Sequence, residues 1–141
     1  MVINIILALL VMLVTTVMHL AGIAMVVKLI KSRFNHWRYQ HPFFLAQKTG
    51  EVALLMFFFS LVEIVVWAGV YLLVGAIEKF EAALYFSMVT FTKFGYGDVV
   101  IDDRWRLMAA IQAANGIIIF GLTTAVIVAV VQRVYFTNTS G

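Results

Sequence analysis

The chain has 141 residues, of which 64% are hydrophobic and 12% charged, with a formal net charge of +3 and a mean hydropathy of +1.03. So apolar a composition excludes an ordinary soluble domain and identifies a membrane protein. With no cysteine, there is neither a disulfide framework nor a thiolate metal site.

Three runs are long enough to cross a bilayer core, which takes about 20 apolar residues: 2–27, 52–77 and 107–131. A shorter apolar piece, 82–92, suits a re-entrant helix and is too short to span. The first run has no Lys or Arg ahead of it and exceeds the roughly 7 to 15 apolar residues of a secretory signal, so it reads as a retained helix. The expected organisation is an N-terminal helix over 1–31, a basic and aromatic loop over 32–50, a two-helix module over 51–135, and a short tail over 136–141.

Lys28, Lys31, Arg33, Arg38 and Lys48 gather at and beyond the end of the first helix. Short loops rich in Lys and Arg stay in the cytoplasm. The N-terminus is therefore expected outside, the C-terminus inside, and the whole as a multi-pass protein of the cell's inner membrane. Phe34, His36, Trp37, Tyr39, His41, Phe43 and Phe44 interleave with the loop's basic residues. That mix suits the headgroup level, either as a sensor of anionic lipid or ligand or as a plain linker. Asn138-Thr139-Ser140 fits a glycosylation pattern that this topology puts on the wrong side.

His19 and Glu63 are the ionisable residues deep within the first two helices. His19 lies about 12 residues above Lys31 and Glu63 about 12 above Glu51, which places both roughly 18 Å up at the helical rise. Intramembrane charge is costly and finds a partner. A hydrogen-bonded His19–Glu63 pair is expected, with a proton relay or a metal as the sharper alternative; two ligands make a poor metal site.

Residues 78–103 carry Glu78, Glu81, Asp98, Asp102 and Asp103 against Lys79 and Lys93, an acidic face that would concentrate cations. Within it lies Thr92-Lys93-Phe94-Gly95-Tyr96-Gly97-Asp98. Gly-Tyr-Gly-Asp, preceded by an apolar half-helix with threonines and bracketed by two spanning helices, resembles the selectivity filter of the potassium-channel pore-module family. That resemblance implies an outer helix over 51–77, a pore helix over 80–92 with Tyr85 and Phe86 in an aromatic cuff, a filter over 92–98, and an inner helix over 104–133. The extra N-terminal helix is similar to that of small bacterial three-span channel-like proteins. The fold so implied is an all-α membrane protein with three transmembrane helices plus a re-entrant pore helix and filter loop in each subunit.

One subunit would supply one filter strand, so the resemblance implies a homotetramer in a lipid bilayer, with no nucleic acid, enzyme activity or cofactor. The permeant ion would be K+ or another monovalent cation, held by the carbonyls of Phe94, Gly95 and Tyr96. Three- and four-residue steps along the third helix group Gln112, Asn115, Ile119, Thr123, Val126 and Val130 on one face, expected to line the pore. Gly116 and Gly121 are expected as hinge or packing positions.

Lys93 departs from the family pattern, which places a threonine there and a branched aliphatic residue where this chain has Phe94. With each ammonium at ~5 Å from the ion and an effective dielectric of ~20, one lysine repels potassium by ~3 kcal/mol and four by ~13. The ammonium groups could be partly neutral, could turn away toward the cavity or Glu63, or could plug the filter. The last case gives the alternative function, a non-conducting or altered-selectivity homologue acting as a membrane scaffold or sensor.

Overall fold

The computed structural model describes residues 2–34 and 42–137, and among these the regular structure is helical. Four α-helices follow in order: α1, Val2–Phe34; α2, Pro42–Leu73; α3, Phe80–Phe91; and α4, Arg106–Thr137, entered through a 3-10 turn at Asp103–Trp105. Runs rich in Val, Ile and Phe adopt helices here because a helix satisfies every backbone polar group within its own segment, which a bilayer core demands. Three helices are long and apolar enough to cross a membrane: Val2–Leu29, Ala46–Leu73 and Asp103–Gln132. The protein is therefore a multi-pass membrane protein. The 12 residues of α3 are too few to span.

The second helix starts at Pro42, nine positions before the expected 51, and stops at Leu73, short of 77. Proline suits the first turn of a helix, where its missing N–H has no intrahelical partner to lose. At the other end Gly75 adopts φ +67, while its N–H bonds to Leu72 O at 3.0 Å and that of Ala76 to Tyr71 O at 2.9 Å. These two bonds make a Schellman cap, and the chain turns away. The last helix runs on to Thr137, past the expected 133, so little remains of the short tail. The sensor reading of His36, Trp37, Arg38, Tyr39 and His41 and the glycosylation pattern at Asn138 lie outside the described residues.

Direction follows from the contacts between helices. Asn4 Nδ2 donates to Arg104 O, Asn115 Nδ2 to Thr15 Oγ1, and His19 Nε2 lies 3.0 Å from Thr123 Oγ1. Partner numbers rise together from 4, 15 and 19 to 104, 115 and 123, so α1 and α4 run parallel. Between α2 and α4 they run oppositely: Tyr71 meets Gln112, whereas Glu63 is joined through His19 to Thr123.

The apolar core lies in three clusters along this bundle. At one end all four helices meet around Ala8, Val11, Trp67, Tyr71, Ala83, Trp105 and Met108. In the middle, Ile64, Phe91 and Ile119 pack the end of α3 against α2 and α4. At the other end Val26, Val52, Met56 and Val130 join α1, α2 and α4.

Candidate functional site

The loop after α3 is shaped by how that helix ends. Lys93 N–H bonds to Thr90 O at 3.3 Å, and Phe94 N–H to Val89 O at 3.0 Å. This is the same Schellman pattern that ends α2, with Lys93 where α2 has Gly75. Lys93 takes φ +64, the one positive φ of a non-glycine residue among the described residues. A left-handed conformation costs such a residue about 1 kcal/mol relative to glycine. Part of that is returned by position, since a cation beside a helix C-terminus is favoured by ~0.3 to 1 kcal/mol.

Gly95 and Gly97 also take positive φ, +59 and +76, whereas Phe94 and Tyr96 do not. Alternating the sign of φ turns successive N–H groups toward one side of a chain and leaves the carbonyls to the other. Residues 92–98 are all exposed, with Phe94 at 67% and Tyr96 at 68%, and the two rings stack on each other with centroids 4.9 Å apart. A cavity of about 270 Å³ separates the loop from α3 and α4, lined by Tyr85, Phe86 and Thr90 on α3 and by Arg106 and Ala109 on α4.

One strut holds the far end of the loop. Tyr85 Oη donates to Asp98 Oδ2 at 2.7 Å. That bond to a carboxylate raises the phenol pKa above its ordinary 10, with desolvation and the charge of Asp98 acting the same way. Asp98 Oδ1 also accepts from Val99 N–H at 3.2 Å, which fixes the carboxylate on both oxygens.

Behind the loop, α3 is fixed to its neighbours by polar contacts and by one close approach. Gln112 Nε2 donates to Ser87 Oγ at 2.7 Å, Ser87 Oγ donates to Ile64 O at 2.7 Å, and Tyr71 Oη donates to Gln112 Oε1 at 2.7 Å. A Cβ on Gly116 would stand 2.3 Å from Phe91 O, so the end of α3 lies directly on the α4 backbone there.

Within the single chain, the face expected to line the pore is packed against other helices. Gln112, Asn115 and Ile119 are fully buried within the single chain, Val130 lies in the core, and Thr123 contacts His19. The stripe at three- and four-residue steps exists, but it is the face that α4 turns to α1, α2 and α3. Its polar members are satisfied by other helices rather than by water. The exposed face of α4 instead carries Ala114, Ile117, Ile118, Gly121, Thr124 and Val128, and nothing lies within 4 Å of a Cβ placed on Gly121.

The acidic face is also less acidic than expected. Asp102 pairs with Arg104 at 3.1 Å and Asp103 with Arg106 at 2.7 Å, so residues 78–106 hold five acids and four bases. Lys93 has no ion pair with Glu63. Glu63 is 1% exposed and directs Oε1 to His19 Nδ1 at 2.9 Å. The structure thus brings His19 and Glu63 together and adds Thr123, which the sequence placed on another face.

A family model described as an ion channel matches residues 54–133. The chain belongs to that ion-channel family. The match runs from within α2 through α3 and the 92–98 loop to within α4, so the two-helix pore-loop module of the channel is present. The first helix lies outside it. The family is one of membrane channels rather than enzymes, and among the described residues no cluster of three or more His, Cys, Asp or Glu could hold a metal. Searches of curated proteins and of solved structures returned no match.

Proposed function

We propose that four copies of this channel chain assemble around an axis into a pore that passes monovalent cations, potassium foremost. In this reading α3 is a re-entrant pore helix and 92–98 is the filter, its Gly95-Tyr96-Gly97-Asp98 half giving the ring of carbonyls. The observation that carries the reading is the alternation of positive φ at Lys93, Gly95 and Gly97 with other values at Phe94 and Tyr96, inside the matched module. A strand so folded has carbonyls to offer an ion along one side.

The exposed rings of Phe94 and Tyr96 and the uncovered face of α4 support the four-fold arrangement. The rings, on a loop rather than on a span, are uncovered in the single chain, and the α4 face adjoins that loop's helix. A head-to-tail contact between different faces closes into a ring when the rotation allows. The conduit below the filter is then lined from the exposed face of α4, with Gly121 and Thr124 among its candidates. Lys28, Lys31 and Arg33 at the end of α1, Arg38 beyond it and Lys48 at the start of α2 keep that side of the protein and the C-terminus in the cytoplasm.

Lys93 sets how well such a pore conducts. It adds a fixed cation next to the negative end of α3, where a permeant ion would otherwise be attracted. We therefore assign the unmodified protein a low potassium flux, limited by its own lysine. Asparagine tolerates a left-handed φ whereas the β-branched threonine of the family does not, so Lys93→Asn removes the charge and keeps the backbone.

The test is flux of K+, Na+ and Cl− through the purified protein in liposomes, unmodified and as Lys93→Asn. Potassium flux is expected to rise at least about tenfold in the variant, a small part of the ~13 kcal/mol of repulsion at an effective dielectric of ~20. Equal flux in the two would remove Lys93 from the conduction path. No flux in either would favour the non-conducting scaffold, and chloride flux would overturn a cation pore.

A further inference from the structure

The first helix lies outside the matched module, yet between residues 4 and 19 it is joined by polar contacts to α4 and to the 3-10 turn that leads into it. Asn4 and Arg104 make the first contact, Thr15 and Thr16 with Asn115 the second, and His19 with Thr123 the third. From residue 4 to residue 19 these rungs cover roughly 22 Å of helix. At the second rung Asn115 Nδ2 donates to Thr15 Oγ1 at 2.7 Å, while Thr16 Oγ1, within 2.7 Å of Met12 O on its own helix, lies 3.1 Å from Asn115 Oδ1. At the third, the His19 ring lies between Glu63 Oε1, 2.9 Å from Nδ1, and Thr123 Oγ1, 3.0 Å from Nε2, so three helices meet at one side chain.

These groups have no other purpose in the pore described above. Thr15, His19 and Asn115 are fully buried and Glu63 almost so, away from the exposed face of α4 and from the loop at 92–98. A polar group in a membrane core is expensive unless bonded, and the partners of Asn115 and Thr123 come from α1. Apolar packing alone would let α1 slide or turn against α4, since lipid is as apolar as either helix. Hydrogen bonds at fixed positions set the register.

We propose that Thr15 and His19 of α1 are positioning residues that clamp α4 of the channel module, so that α1 sets the position of the helix on which opening and closing depend. Glu63 fixes the imidazole from α2 and thereby aims it at Thr123. The first helix is on this account an integral brace of the pore module.

Two substitutions at one position separate this role from packing. Thr123→Val keeps the shape and removes the hydroxyl; Thr123→Ser keeps the hydroxyl and removes a methyl group. Hydrogen exchange of the α4 amides is measured on the assembled protein in nanodiscs. Exchange around residue 123 is expected to quicken about tenfold in Thr123→Val and to change less than about twofold in Thr123→Ser. In bilayer recordings, Thr123→Val is expected to shift open probability at unchanged unitary current, and Thr123→Ser to match the unmodified protein. The recordings rest on the conduction proposed above, whereas the exchange measurement stands whether or not the protein conducts. Should Thr123→Val fail to assemble, Thr15→Val against Thr15→Ser reads the second rung in the same way. Unchanged exchange in the valine variants, or equal loosening by serine, would overturn the clamp.

Discussion

Lys93 holds the same place at the end of α3 that Gly75 holds at the end of α2, and that equivalence gives the residue a structural reading beside its electrostatic one. Its charge was plain from the sequence, and so was its departure from the family pattern. Its left-handed backbone was not, because a Schellman cap is defined by hydrogen bonds to Val89 and Thr90 that a string of letters does not display. Tyr85 is the second residue whose role depends on geometry. The sequence placed it in an aromatic cuff, whereas the structure spends its hydroxyl on Asp98. Because the phenol pKa is raised in the folded protein, the bond's contribution is complete below the ordinary value of 10 and is lost as pH rises through the higher folded value. Alkaline titration followed by tyrosine ultraviolet absorbance should show one ionisation later than in Tyr85→Phe, where that late component disappears. A curve that Tyr85→Phe leaves unchanged would show that the strut does not persist in the assembled protein.

At the scale of elements, the three spans were legible because length and apolarity alone decide them, and α3 because it was apolar yet short. Helix ends were less so. Proline at 42 reads as a breaker within a run but serves equally as a first-turn residue, and α2 took the second course. The packing of this face of α4 within the chain was not legible, for a physical reason. Glutamine and asparagine in a membrane helix answer equally to a wet pore and to another helix. Their partners Ser87, Tyr71, Thr15 and Thr16 lie far off in sequence, where periodicity says nothing. Of the two glycines of this helix, Gly116 is the constrained one. In Gly116→Ala the new methyl group would meet Phe91 O, so α3 must move, at a cost of about 1 to 3 kcal/mol for overpacking. Thermal denaturation in detergent should show a lower midpoint for Gly116→Ala and little change for Gly121→Ala, whose surroundings in the chain are open. A Gly116→Ala midpoint equal to that of the unmodified protein would mean that α3 and α4 are not so closely packed.

For the whole molecule, the channel family and the three spans stand on the matched module and on the length of the helices. A single chain has one loop at 92–98, one pair of exposed rings and one uncovered α4 face. The proposed four-fold pore would unite them, with the rings against neighbouring subunits, the carbonyls of the loop toward the axis, and α1 behind α4. The direct measurement is a structure of the assembled protein in a bilayer mimetic with rubidium or thallium replacing potassium. The account predicts four copies around one axis, with cation density on it at the level of the carbonyls of Phe94, Gly95 and Tyr96. An axis without cation density there, or an assembly in which the four loops do not face one another, would contradict it.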